Sequence, residues 1–160
     1  MLLENNAFLS MAKKLFLLQL VFIIITVIML NFGRLAIISS LFYVLALFLA
    51  GLQGNRILKT TPLTTLAAGY LSQLIGILSS FFVLTKKLMN FGVATFEFIA
   101  QIWQTPLYPL YPLLSPTSFF DYPLFFFITI TASFVLPLIP ALGAGLSQLS
   151  TVISNKRNPA

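Results

Sequence analysis

The chain has 160 residues, of which 59% are hydrophobic and only 8% charged. Soluble domains are about half apolar and about one quarter charged, so this composition excludes an ordinary soluble fold. Intrinsic disorder is excluded as well, because disorder requires low hydrophobicity. Long uncharged runs instead predict an all-α integral membrane protein with the lipid bilayer as its first partner.

The charged residues are few and mostly basic. Nine Lys and Arg against three Asp and Glu give a net charge of +6. The basic residues lie singly or in pairs between apolar runs, which is typical of loops at an anionic membrane face rather than of a phosphate-binding patch. We therefore expect no nucleic-acid partner.

The sequence contains few of the residue types that catalyse reactions or bind metal ions. It contains no cysteine and no histidine, which excludes disulfides, thiolate nucleophiles and histidine bases within it. Its three carboxylates, Glu4, Glu97 and Asp121, are too few and too scattered for a two-metal site. We expect neither enzymatic activity nor a cofactor or bound metal.

The first predicted span covers residues 15–32, an uncharged run that follows Lys13 and Lys14. Its 18 residues would extend about 27 Å as a helix, close to the thickness of a hydrocarbon core. A cleavable signal peptide is the alternative. No small-residue cleavage site follows and a second apolar run begins at once, so an uncleaved signal anchor is favoured.

The second predicted span covers residues 35–52. One continuous helix over both runs would reach about 57 Å, nearly twice the hydrocarbon thickness. A tight turn is therefore required between Asn31 and Arg34. Gly33 can adopt the positive φ that closes such a turn, so the two spans are predicted to form a hairpin.

The third predicted span covers residues 63–85 and carries small or polar residues at intervals of four, three, four and three. They are Thr65, Gly69, Ser72, Gly76 and Ser79. This spacing places them on one helix face, where small residues allow another helix to approach closely. The alternative is a polar path through the membrane, formed by the same face with Tyr70 and Gln73.

Residues 88–104 are predicted to form an amphipathic helix at the membrane interface. The polar residues recur at helical spacing, at Asn90, Glu97, Gln101 and Gln104, with Trp103 near the end. A narrow polar face opposite an aromatic one suits a helix that lies flat on the bilayer. The alternative is a fifth span with Glu97 facing a helix bundle, where an ionisable group indicates function.

The loop charges favour four spans. With the N-terminus inside, six basic residues lie inside and three outside, as the positive-inside rule requires; a fifth span removes this bias. The inside set is Lys13, Lys14, Arg56, Lys59, Lys156 and Arg157, and the outside set is Arg34, Lys86 and Lys87. We expect both termini in the cytoplasm, with the protein in a bacterial cytoplasmic membrane.

Residues 105–123 form a Pro/Tyr-rich loop that precedes the last span, residues 124–149. Five prolines in this loop exclude a regular helix, so the segment is predicted to be extended or rich in turns. It either lies on the membrane surface or provides a strip for a partner. In the last span, Pro137 and Pro140 each remove a backbone donor and predict a kink.

Three functions are compatible with this sequence. The preferred one is an accessory, assembly or regulatory subunit that acts through helix contacts with other membrane subunits or with itself. The alternative is a small oligomeric transporter or channel, whose path would use Glu97, Gln101, Gln73 and Tyr70, with Gln19, Tyr43 and Gln148 as further contributors. A lipid-modifying enzyme is the third, with only Glu97 and Asp121 to serve it.

Overall fold

A computed structural model describes residues 2–85, 94–114, 118–119 and 122–157. Seven α-helices carry most of this part of the chain: α1 Leu2–Met29, α2 Leu35–Ile57, α3 Pro62–Ser72, α4 Leu74–Leu84, α5 Ala94–Trp103, α6 Leu124–Val135 and α7 Leu138–Arg157. Two two-residue strands, β1 Ser118–Phe119 and β2 Tyr122–Pro123, pair antiparallel. The predictions made for residues 86–93, 115–117 and Asp121 concern residues that lie outside the described part of the chain.

Within the described residues, three helical segments are long and apolar enough to cross a membrane, namely Asn6–Phe32, Leu35–Ile57 and Phe127–Ser154. The pair α3 and α4 adds a fourth if it counts as one bent span. The prediction of an all-α membrane protein is therefore confirmed. Helix α1 begins well before residue 15, because Lys13 and Lys14 do not interrupt it: lysine is a good helix former, and Lys14 Nζ donates to Gln53 Oε1 at 2.7 Å.

The predicted turn between the first two helices is confirmed. A single 3-10 turn, Leu30–Phe32, follows α1, and Gly33 has a φ of +58°. Asn31 Nδ2 donates to the carbonyl of Ile28 at 3.2 Å, which satisfies one of the acceptors left open at the helix end. Only glycine adopts this backbone conformation without steric cost.

The third predicted span is not a continuous helix. Helix α3 ends at Ser72, α4 begins at Leu74, and the chain bends by 61° between them. Gln73 lies at the break with φ −93° and ψ 7°, and Ser72 Oγ donates back to the carbonyl of Gly69 at 2.7 Å. Such hydroxyl bonds to the preceding turn compete with the helical hydrogen bonds and bend helices.

The prediction that the loop 105–123 contains no regular helix is wrong. Residues Thr105–Leu113 form a 3-10 helix, with Pro109 and Pro112 inside it. Prolines at positions 106, 109 and 112 match the three-residue period of a 3-10 helix, and their fixed φ near −65° suits it. The prolines thus exclude an α-helix but remain compatible with this tighter one.

The last predicted span is interrupted at its first proline. Helix α6 ends at Val135, α7 begins at Leu138, and Ile139 N donates to the carbonyl of Leu136 at 3.1 Å across the turn. Pro140 is the third residue of α7, where a backbone N–H has no intrahelical acceptor in any case. The interruption therefore lies at Pro137, and Pro140 is accommodated in the first helical turn.

The described contacts divide the chain into two compact units. The first consists of Met1–Leu18, Val44–Ser72 and Leu136–Ala160, and the second of Gln19–Tyr43 and Gln73–Val135. In the first unit α3 packs on α7. In the second, α4 packs on α5 and α6, with the rings of Phe82 and Phe96 stacked at 4.5 Å.

Glycines bring two helices of the first unit into backbone contact. A Cβ atom at Gly51 of α2 would lie 2.6 Å from the carbonyl carbon of Pro140 in α7, and one at Gly143 would overlap the carbonyl oxygen of Phe48. No side chain fits at either position without a backbone shift. Close packing of this kind takes the place of the hydrophobic effect between helices in lipid.

We predict that Gly51→Ala lowers the free energy of unfolding by about 1–3 kcal/mol, the usual cost of overpacking. The matched control is Gly145→Ala in α7, whose Cβ would meet only Pro62 Cγ at 3.9 Å. This control should be neutral or stabilising, because alanine is a better helix former than glycine. Thermal unfolding of both variants in mild detergent measures the difference, and equal midpoints would contradict the packing described here.

Candidate functional site

Four polar side chains from separate segments meet in the interior of the second unit. They are Gln19 of α1, Tyr43 of α2, Gln73 at the start of α4 and Trp103 at the end of α5, and none is more than 5% exposed. Each lies within or beside a strongly apolar stretch of sequence. A buried polar group there has no water to bond, so it needs a protein partner.

These four residues form a connected hydrogen-bond network. Gln19 Oε1 accepts from the Tyr43 hydroxyl and from Gln73 Nε2 at 3.0 Å, while Gln19 Nε2 donates to the Trp103 carbonyl at 2.5 Å. The Trp103 indole Nε1 donates to Gln73 Oε1 at 2.7 Å. Every polar side-chain atom of the network therefore has a partner, and the bonds tie segments of α1, α2, α4 and α5 together.

A glycine and a serine complete the surroundings of the tryptophan. A Cβ atom at Gly76 of α4 would overlap the Trp103 ring and lie 2.6 Å from Ser133 Oγ of α6. Ser133 Oγ in turn accepts from Gln104 Nε2 at 2.6 Å. The absent side chain at Gly76 therefore provides the space that the indole and this second hydrogen bond occupy.

The small residues predicted to line one helix face are all buried within the chain. Thr65, Gly69 and Ser72 are buried on α3, and Gly76 and Ser79 on α4. Gly69 lies against Pro137: a Cβ atom added at Gly69 would be 3.0 Å from the Cβ of Pro137. Thr65 Oγ1 donates to Thr60 Oγ1 at 3.0 Å. The break at Gln73 divides this set between two helices.

The residues predicted for a polar path have three different environments. Gln73 belongs to the buried network, and so do Gln19 and Tyr43. Tyr70 is partly exposed on α3, and Gln148 is exposed on α7. Only Glu97 and Gln101 lie together at one cavity.

This cavity has a volume of about 220 Å³ and lies in the second unit between α4, α5, α6 and the 3-10 helix. Its described lining residues are Val83, Glu97, Ala100, Gln101, Tyr108, Tyr111, Phe125, Thr129 and Ile130. The centroids of the Tyr108 and Tyr111 rings are 5.5 Å apart, and Tyr111 stacks on Phe125 at 6.1 Å. The cavity thus combines a carboxylate, an amide and three aromatic rings.

One hydrogen-bond chain orients the tyrosine at the cavity wall. Thr129 Oγ1 donates its proton to the carbonyl of Phe125 at 2.8 Å, so in its 2.8 Å contact with Tyr111 the phenol is the donor. Burial raises the pKa of Tyr111 above its usual value, against a smaller opposing effect of the bond with Thr129. The phenol stays neutral at physiological pH.

Two features of the site were not apparent from the sequence. The sequence pattern places Trp103 near the end of an amphipathic helix but does not predict that its side chain is only 5% exposed and donates to Gln73. It places Gln19 and Tyr43 only among the contributors to a polar path. The available signal was that Gln19 and Gln73 are isolated amides within apolar runs, and such groups need hydrogen-bond partners inside the fold.

No protein family, curated protein or solved structure matches this chain. Within the described ranges, no group of three or more acidic, His or Cys side chains could hold a metal ion. The features that bear on function are therefore the network, the cavity and the exposed helix faces.

We predict that Gln73→Leu destabilises the protein by about 1–3 kcal/mol, because it leaves the buried Trp103 indole without its acceptor. The chain contains one tryptophan, so its emission spectrum should change in the same variant. The control is Gln148→Leu, which makes the same substitution at an exposed position of α7 and should change neither property. Unchanged emission and stability in Gln73→Leu would contradict the network.

Proposed function

We propose that the protein is a multi-pass membrane subunit without catalytic chemistry that acts through helix contacts, as an accessory, assembly or regulatory component of a larger complex. The observation that carries this proposal is that Gln19, Tyr43 and Gln73 bond to one another and to Trp103. A transport path or active site needs polar groups that are accessible to a substrate. These groups instead hold the protein's own helices together.

Helix α1 is the preferred contact element in this proposal. Only 17% of its apolar stretch is buried, against 39% in α2 and 50% in the Phe127–Ser154 span. Four large apolar side chains recur along it at intervals of four, three and four, and all are at least half exposed: Leu17, Val21, Ile24 and Ile28. A helix face of this kind fits another membrane helix, from a second subunit or a second copy.

The alternative function is a small oligomeric transporter or channel. The cavity beside Glu97 and Gln101 favours it, because a carboxylate near membrane depth is a natural site for an ion or proton. This alternative requires the cavity to open into a path, and the polar groups of the network do not extend one. We therefore rank it second.

We predict that the wild-type protein purifies from its native membrane in mild detergent with a stoichiometric membrane partner. The double variant Ile24→Ala/Ile28→Ala should lose that partner, because it removes contact area from α1 while leaving the buried core intact. The control is Leu142→Ala/Leu146→Ala, a pair with the same spacing and comparable exposure on α7. This control should retain the partner.

The mass of each purified complex, with identification of its subunits, distinguishes the two functions. Loss of the partner in both double variants, or in neither, would remove α1 as the contact face. A wild-type protein that purifies as a clean monomer or a homo-oligomer, unchanged by either substitution, would contradict the accessory role. Transport would then become the leading function.

The proposed topology has four crossings with both termini in the cytoplasm of a bacterial cell. The chain lacks cysteine, so single cysteines report their location without a background. We predict that Asn31→Cys reacts with an impermeant maleimide in intact cells, whereas Ser10→Cys and Ser154→Cys react only after permeabilisation. Labelling of Ser154→Cys in intact cells would instead indicate five crossings, since an odd number of crossings moves the C-terminus to the outer face.

A further inference from the structure

The first unit carries most of the positive charge of the protein. Six of the nine basic residues belong to it, against one of the three acidic side chains, Glu4. The six are Lys13, Lys14, Arg56, Lys59, Lys156 and Arg157. All six are predicted to lie on the cytoplasmic side, where the membrane surface is anionic and attracts basic groups. An anionic lipid is therefore the kind of lipid that this unit attracts.

The two neighbouring lysines of α1 have different surroundings. Lys14 Nζ donates to Gln53 Oε1 at 2.7 Å, whereas Lys13 is exposed and no described side chain bonds to it. Glu4 lies about 14 Å from Lys13 along the axis of α1, which exceeds the screening length of about 8 Å at physiological ionic strength. The ammonium group of Lys13 can therefore bind an anion.

A groove between α1 and α3 begins at Lys13. It has a volume of about 200 Å³, and all of its described lining residues belong to the first unit. They are Leu9, Ala12, Lys13 and Phe16 of α1 and Leu71 and Ser72 of α3. Ala12 and Ser72 are buried, whereas Leu9 and Leu71 are 51% and 43% exposed. Short buried side chains beside longer exposed ones leave an open depression.

Apart from Lys13, the described lining of this groove offers little to a polar ligand. Ser72 Oγ donates to the carbonyl of Gly69 at 2.7 Å, so its proton is used within α3. A stable water needs two to four polar partners, which this lining does not supply, and an empty depression loses dispersion contacts. A hydrocarbon chain restores those contacts and needs no hydrogen bond.

The position of Lys13 along α1 suits a lipid with its headgroup at this lysine. From Lys13 to Met29 the helix extends about 24 Å, against a hydrocarbon thickness of about 30 Å. With the turn after Met29 at one membrane face, the backbone of Lys13 lies near the opposite boundary of the hydrocarbon core, and its side chain reaches the headgroups. Phe16 follows one turn deeper, at the level of the lipid chains.

We propose that this groove binds one anionic phospholipid, with the phosphate at Lys13 and one acyl chain against Leu9, Phe16 and Leu71. A partner helix is a poorer occupant, because it would cover the lysine without neutralising its charge, and an unpaired charge is costly in the membrane. The proposal does not depend on the accessory role. It uses residues outside the exposed α1 face assigned to a partner, so each proposal can fail without the other.

The test is native mass spectrometry of the full-length protein in mild detergent, titrated with palmitoyl-oleoyl phosphatidylglycerol. Phosphatidylcholine with the same acyl chains is the matched lipid. We expect one phosphatidylglycerol per chain to bind more tightly than phosphatidylcholine. Lys13→Gln should weaken phosphatidylglycerol binding about fivefold, the usual effect of one basic residue at an anionic surface, and remove the preference. Lys13→Arg should retain both.

Two control variants separate the groove from the general surface. Lys59→Gln removes the same charge from the first unit outside the described lining and should leave phosphatidylglycerol binding unchanged. Leu71→Ser makes the groove polar and should weaken both lipids, whereas Leu63→Ser changes another exposed leucine of α3 and should weaken neither. A thermal melt of each variant accompanies the titration. If Lys13→Gln fails to fold, Lys13→Met replaces it.

Glycerol phosphate presents the anionic group without chains, and we expect it not to bind at the concentrations used for the lipids. Equal affinity for the two lipids, or absence of phosphatidylglycerol binding, would overturn the proposal. Equal weakening by Lys13→Gln and Lys59→Gln would overturn it in favour of a general charge effect. Loss of a co-purified subunit in Leu71→Ser would overturn it in favour of a protein in the groove.

Discussion

The dominant constraint on this structure is the need to satisfy polar groups where no water is present. An amide buried among apolar helices has to find a protein partner, because leaving it unpaired costs more than the hydrogen bond itself contributes. Gln19, Gln73, Tyr43 and Trp103 meet this requirement together. Individual hydrogen bonds between membrane helices contribute only about 0.6 kcal/mol on average, so the main effect of the network is to specify which segments meet.

The same constraint explains the irregularities of the helices. The break at Gln73 and the interruption at Pro137 release backbone groups that a straight helix would have paired, and such breaks occur at membrane depth where neighbouring protein covers them. Glycines make that coverage possible. Gly76 leaves room for the Trp103 ring in the second unit, and Gly51 and Gly143 allow backbone contact in the first.

The network and the cavity place polar groups of the second unit in two different settings. In the network each donor meets an acceptor of the protein, which stabilises the fold. At the cavity, Glu97, Gln101 and Tyr111 lie among aromatic and aliphatic side chains. The first setting supports a role through surfaces and contacts.

The sequence by itself determined the membrane class, the four apolar segments and the turn at Gly33. These features follow from local quantities: the length of an uncharged run against the bilayer thickness, and the positive φ that glycine permits. Only the tertiary structure decided the break at Gln73, the burial of Trp103 and the cavity beside Glu97. Hydrophobic periodicity indicates which face of a helix is polar, but the partner of an isolated Gln or Trp is set by residues distant in sequence. That pairing is a property of the packed helices, and no local pattern encodes it.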